Sequence, residues 1–84
     1  MNTYEARDIG RRYCKTEGSA HYKHGEQVEP LDLMISAGIA KDFCLGNIIK
    51  YAARFKESGD VTDLRKISDY AHILAGLQIG DTYD

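Results

Sequence analysis

The stretch from Phe43 to Phe55 carries the clearest pattern of apolar and polar positions in the chain. At about 100° per residue, an α-helix there separates its larger apolar side chains from its polar ones. The apolar side contains Leu45, Ile48, Ile49, Ala52 and Phe55, and the polar side contains Asn47, Lys50, Tyr51 and Arg54. We therefore expect the apolar side to face the core of the protein.

Two long helices are predicted in the second half of the chain. The central one begins at Asp42, runs to about Ser58 and stops at Gly59, which favours a left-handed C-terminal residue. The last one spans about Thr62 to Ile79, with Thr62 as its N-cap and apolar residues at steps of three and four. Because the connection between them is short, we expect an antiparallel hairpin.

Two shorter helices are predicted in the first half. Asn2 is a suitable N-cap for a helix from about Thr3 to Thr16, and Pro30 suits the first position of a helix that ends near Gly38. The run Glu17–Glu29 follows neither a helical nor a strand period and contains two glycines, so we expect a loop. Loops of this length are often functional.

The predicted fold is therefore all-α, a single domain of residues 1–84 with about four helices, built on the hairpin of the two long C-terminal helices. The acidic tail of residues 80–84 is expected to be frayed. A chain of 84 residues buries only roughly 60 to 65% of the surface of its unfolded form. This thin core favours a binding module over an enzyme, and a homodimer would extend the core.

Charge and cysteine content exclude several classes of protein. The net charge is −2, with 11 basic and 13 acidic side chains, so we expect no strong non-specific binding to nucleic acid. Cys14 and Cys44 have no neighbour at metal-ligand spacing, and no signal peptide or long apolar run is present. We therefore expect a cytoplasmic location, free thiols and no membrane contact.

The polar side of the central helix is the first candidate site. Asn47, Lys50, Tyr51 and Arg54 offer an amide, an ammonium, a phenol and a guanidinium, which can hold an anionic ligand or a protein partner. The alternative is a solvated helix face whose long side chains cover the core. Asn47 fits that alternative least well, because asparagine lowers helix propensity.

The predicted loop contains a second set of candidates, His21, Tyr22 and His24. Zinc needs three or four ligands, so we expect no metal here. Packing of His21 or Tyr22 against the central helix is favoured, with a ligand contact as the alternative. Within that helix, Gly46 would let another backbone approach closely and Cys44 would behave as a small apolar residue, so both are expected to be structural.

The order of these residues resembles a small bacteriophage and prophage domain of unknown function, related to the T7-type phage nucleotide kinase. The resemblance covers about His21 to Leu77 and rests on His21-Tyr22, Glu29-Pro30-Leu31-Asp32, the run from Phe43 to Arg54, Asp63-Leu64-Arg65-Lys66 and Tyr70. It implies a phage origin, the host cytoplasm and nucleotide binding or phosphoryl transfer, with Mg²⁺ accompanying the nucleotide. The family-like positions are His21, Tyr22, Cys44, Gly46, Asn47, Lys50, Tyr51 and Arg54.

Two functions fit these observations. The first is an interaction module that binds a host protein, such as a defence or takeover factor of the kind that anti-CRISPR inhibitors target, without metal or cofactor. The second is a nucleotide-binding protein or a minimal nucleoside monophosphate kinase that lacks a P-loop. Small size and the missing phosphate loop favour the first, whereas the resemblance favours the second. Whether the chain is an enzyme stays open at this point.

Overall fold

The computed structural model describes residues 1–15 and 28–83, and four α-helices occur among them. These are α1 (Thr3–Tyr13), α2 (Pro30–Ala37), α3 (Ala40–Ser58) and α4 (Val61–Tyr83). No strand occurs in either described range, so the predicted all-α class is confirmed. The two long helices extend beyond the predicted bounds, because α3 begins before Asp42 and α4 continues past Ile79.

The predicted antiparallel hairpin of α3 and α4 is confirmed by contacts at both of its ends. Lys41, near the start of α3, pairs with Asp81 near the end of α4, with 2.5 Å between Nζ and Oδ2. Arg54, near the end of α3, has its Nε 3.8 Å from an oxygen of Asp63 at the start of α4. Gly59 ends α3 with the expected left-handed backbone, at φ 66°.

The start of α4 differs from the prediction, since Thr62 is not its N-cap. The carboxylate of Asp60 accepts a hydrogen bond from the backbone N–H of Thr62 at 2.9 Å. Hydrogen bonds from Thr62 lower the pKa of Asp60 below its ordinary value. An ionised carboxylate at this position also interacts favourably with the positive end of the helix dipole. Asp60 is therefore the residue that stabilises the start of α4.

The start of α2 follows the prediction and is joined to α1 through one carboxylate. Pro30 is the first residue of α2, and Gly38 ends it with a left-handed φ of 78°. One oxygen of Asp32 accepts hydrogen bonds from the backbone N–H and the hydroxyl of Thr3, at 2.6 and 2.7 Å, and the other accepts from the N–H of Glu29 at 2.9 Å. Burial alone would raise the pKa of Asp32, but these hydrogen bonds lower it.

The helices α1 and α4 approach so closely that glycine is required on both. A Cβ on Gly10 would lie 1.7 Å from the carbonyl oxygen of His72, and one on Gly76 would lie 1.8 Å from that of Ala6. Any side chain at either position would force the helices apart, because protein interiors are already close-packed. Ala6 is fully buried between them.

An ion pair between α1 and α4 also fixes how far one helix is shifted along the other. Arg7 of α1 binds Asp69 of α4 with two hydrogen bonds, 2.7 Å from Nε and 3.1 Å from Nη2. Arg11 adds a longer contact to the same carboxylate at 3.4 Å. The Arg7 side chain is almost completely buried. Such a bidentate pair is geometrically specific, and losing one partner would leave a buried charge without its counter-ion.

The side of α3 that faces the core is not the one that the apolar pattern predicts. Cys44 is fully buried and Asn47 is only 8% exposed, whereas Leu45 is 48% and Ile49 is 69% exposed. The prediction that Leu45 and Ile49 face the core is therefore wrong. The physical reason is that α3 joins the core through the small residues Ala40 and Cys44, which cluster with Ile73 and Leu77 of α4 and leave Leu45 and Ile49 outside.

Cys44 and Gly46 lie in opposite environments, one buried and the other exposed. Cys44 is buried as a small apolar residue, and burial together with the charge of Asp69 raises the pKa of its thiol to about 11. Gly46 is exposed, and no described atom lies within 4 Å of the position that its Cβ would take. The backbone approach that we expect at Gly46 involves the His21-Tyr22 stretch, which lies outside the described residues. Among the described residues, such close approaches occur at Gly10 and Gly76.

We predict that Gly76→Leu lowers the free energy of unfolding by about 3 kcal/mol or more, since the new side chain would collide with the backbone of α1. The matched substitution Gly46→Leu should leave the stability unchanged or raise it by about 0.5–1 kcal/mol, because leucine has the higher helix propensity. Urea unfolding followed by circular dichroism measures both. Equal losses for the two variants would contradict the close α1–α4 contact.

Candidate functional site

Tyr51 is the centre of a surface that the structure forms from three of the predicted residues. Lys50 has its Nζ 4.6 Å from the centroid of the Tyr51 ring, and Arg54 has its Cζ 5.4 Å from the same point. Both distances lie within the range of cation–π contacts. The structure therefore brings Lys50, Tyr51 and Arg54 together, and we call this group the Tyr51 surface.

The Tyr51 ring is supported by an aromatic residue of α4 that sequence reasoning did not assign to the site. Tyr51 and Tyr70 stack with 6.1 Å between their centroids and 15° between their planes. Phe43 meets Tyr70 edge-on at 6.0 Å. Burial, more than the nearby charges, raises the pKa of Tyr70. The spacing of Phe43 and Tyr51, two turns apart on a helix of the hairpin, is the sequence signal for such a cluster.

Arg54 is oriented from the other side by Asp63. The Asp63 side chain is almost completely buried and accepts a hydrogen bond from the hydroxyl of Ser58 at 3.1 Å. Arg54 contacts this fixed carboxylate only at 3.8 Å, and 63% of its side chain remains exposed. The guanidinium is thus partly ordered while most of its hydrogen-bond donors stay accessible to a partner.

Asn47 is buried, unlike Lys50 and Arg54, with which the sequence groups it. It is on the side of α3 that carries Cys44 and Tyr51, one turn from Phe43 and one turn from Tyr51, and it is buried. No hydrogen-bond partner for its Nδ2 occurs among the residues that the structure describes. A buried donor without a partner costs about 1–3 kcal/mol. A solvated helix face, which is the alternative to a binding site, therefore does not describe Asn47.

A cavity of about 350 Å³ lies beside the aromatic cluster and is bounded by all four helices. It shares Phe43 and Tyr70 with the cluster, and its charged side chains are Arg7, Glu29, Lys66 and Asp69. Its volume falls within the range of small-molecule pockets, and its lining combines apolar rings with a few charges, as such pockets usually do. The cavity can hold a small polar molecule next to Tyr70, the residue on which the Tyr51 ring stacks.

Several other predictions concern residues or features away from this surface. His21, Tyr22 and His24 lie outside the described residues. Across residues 1–15 and 28–83, no three His, Cys, Asp or Glu side chains form a group that could hold a metal ion. In the same ranges, no helix has the length and apolar character needed to cross a membrane. Cys14 and Cys44 are both free thiols.

A family model described as a protein of unknown function (DUF3310) matches residues 16–72 of the chain. No curated protein and no solved structure matches the chain. The matched region contains α2, α3 and the first half of α4, and so it includes Asn47, the Tyr51 surface and Tyr70. Helix α1 lies outside it, although α1 contributes Arg7 and Gly10 to the packing of α4.

We predict that Asn47→Leu raises the free energy of unfolding by about 1–2 kcal/mol, because it removes a buried donor that has no partner among the described residues and keeps a similar shape. Thermal and urea unfolding of the purified variant measure this change. Asn47→Asp is the control and should be destabilising, since it places a charge in the same buried position. Destabilisation by Asn47→Leu would show that the amide is bonded within the protein.

Proposed function

The chain belongs to the DUF3310 family of proteins of unknown function, and we propose that it is a small interaction module that binds and modulates a host-cell protein. The observation that carries this proposal is the Tyr51 surface, in which a ring stacked on Tyr70 has two cations within cation–π distance. Tyrosine and arginine are among the residues that contribute most to protein interfaces. A side chain that is already ordered also loses less entropy on binding.

The chemistry of the Tyr51 surface indicates the kind of partner. Lys50 and Arg54 concentrate positive charge on a chain whose net charge is −2. A local patch of this kind favours an acidic region on the partner and speeds the encounter with it. The resemblance to bacteriophage domains supports a partner in the cytoplasm of a bacterial host. A defence or takeover factor, a CRISPR complex among them, is the partner that we propose.

Nucleotide binding is the second candidate, and the buried amide of Asn47 is the observation that favours it. The Nδ2 donor without a described partner lies one turn from Tyr51, whose neighbours Lys50 and Arg54 suit a phosphate group. In this role Mg²⁺ would accompany the nucleotide. If the resemblance to the phage nucleotide kinase extends to its activity, the chain would also transfer phosphoryl groups between nucleotides. Phosphoryl transfer needs a donor and an acceptor held together, whereas Lys50 and Arg54 supply cations for one anion.

We predict that immobilised chain captures one host complex from bacterial lysate, and that Arg54→Ala and Tyr51→Ala each lose it. With the purified complex, calorimetry should show binding weaker by about thirtyfold or more for Tyr51→Ala, the effect of losing a dominant interface residue. Arg12→Ala is the matched control, because Arg12 is an exposed arginine of α1 that pairs with Asp8 four residues before it. This variant should bind as the native chain does.

The same proteins decide between the two candidates. Titration with nucleoside mono- and triphosphates plus Mg²⁺ should give no binding if the chain is an interaction module only. Micromolar nucleotide binding that Arg54→Ala abolishes and Arg12→Ala preserves, with no host complex captured, would replace the first candidate with the second. Equal capture by the native chain and all three variants would remove the Tyr51 surface from the interaction. Circular dichroism confirms that each variant is folded.

A further inference from the structure

A second surface lies on the side of α3 opposite the Tyr51 surface. Ile49 and Tyr51 are two residues apart, which places them about 200° apart around the helix. The residues on the side of Ile49 are exposed and recur at steps of three and four, the spacing of helices that pack together along a seam. We call this stripe the outer seam; it consists of Asp42, Leu45, Ile49, Ala52, Ala53 and Lys56.

The outer seam is apolar in its middle and borders an apolar groove. Leu45 and Ile49 expose about half and two thirds of their surface, respectively. Leu45 also lines an open groove of about 550 Å³ between α3 and α4, together with Ile48, Ala71 and Leu74. No described residue of the chain covers this region. Exposed apolar surface of this kind commonly marks a site of contact with another protein.

We propose that the outer seam binds the outer seam of a second copy of this chain, with the two α3 helices antiparallel about a two-fold axis at Ile49. The charges at the two ends of the seam carry this choice of partner. Asp42 and Lys56 each lie seven residues from Ile49, so the axis brings each carboxylate next to the ammonium of the second copy. A parallel arrangement would instead oppose like charges.

Side-chain size follows the same symmetry. Leu45 lies four residues before Ile49 and Ala53 four residues after it, so the large side chain of one copy meets the small one of the other. Ile49 meets its own counterpart on the axis. A two-fold contact of this kind uses one self-complementary surface on both copies, which is the commonest form of protein dimer.

The dimer leaves the Tyr51 surface accessible and is independent of the proposed function. Because the Tyr51 surface and the outer seam occupy opposite sides of α3, the two Tyr51 surfaces would point away from each other. A host complex with two equivalent sites would then be bound more tightly than by one copy. A single site would be bound equally well by either form.

We predict that sedimentation velocity gives twice the chain mass of 9.4 kDa for the native protein. Ile49→Glu should raise the dimer dissociation constant by about a hundredfold or more, because the axis places the two new charges together. The melting curve of the dilute protein should not change, since Ile49 is away from the core. Leu33→Glu, an equally exposed aliphatic position on α2, is the matched control and should remain dimeric.

A charge exchange identifies the partner as a second copy. Asp42→Lys alone and Lys56→Glu alone should each weaken the dimer by roughly three- to tenfold, and the double variant should recover native affinity, because both copies then carry the exchanged pair. A native chain that stays monomeric up to its solubility limit, or a double variant no tighter than the single ones, would overturn the proposal. If the native chain is monomeric but still captures the host complex, the dimer is excluded and the proposed function of the Tyr51 surface is unaffected.

Discussion

The contact between α1 and α4 is the constraint on which the rest of the structure depends. Gly10 and Gly76 allow the two backbones to touch, and the bidentate pair of Arg7 and Asp69 sets how far one helix is shifted along the other. A buried charge pair tolerates few alternative arrangements, since any shift leaves a charge without its partner. One side of α4 is therefore occupied by α1, and α3 packs against a different side of α4.

This division of α4 explains why α3 leaves two of its sides available for contacts with other molecules. A domain of 84 residues has little apolar surface to bury, and α3 meets its core through a narrow stripe that includes Cys44 and Asn47. At the edge of that stripe, Tyr51 is held by Tyr70 and flanked by Lys50 and Arg54. On the far side, the outer seam is left exposed. The proposed partners, a host protein and a second copy, correspond to these two sides.

Sequence patterns predicted the parts of the fold that depend on residues close together in the chain. Pro30 at the start of α2, the left-handed Gly38 and Gly59, and the short connection of the hairpin follow from backbone preferences that act within a few residues. Tertiary contacts decided the rest. A glycine pattern does not distinguish Gly10, which meets another backbone, from the exposed Gly46, and no local rule pairs Arg7 with Asp69.

The side that α3 turns to the core shows a further limit of sequence patterns. Leu45 and Ile49 form an apolar stripe, but such a stripe looks the same whether it is buried within its own chain or against another. For the candidate site, the spacing of Lys50, Tyr51 and Arg54 was sufficient to group them. The burial of Asn47 and the support from Tyr70 depend on how α3 is rotated against α4, and the sequence of one helix does not determine that rotation.

Alkylation of the two native cysteines tests this rotation of α3 without any substitution. Cys14 is exposed and Cys44 is buried on the side of α3 that faces the core, where burial raises the pKa of its thiol. We expect one thiol to react rapidly at neutral pH, identified as Cys14 by mass spectrometry, and Cys44 to react at least about tenfold more slowly until the chain unfolds. Equally rapid reaction of both thiols in the folded protein would contradict the packing described for α3.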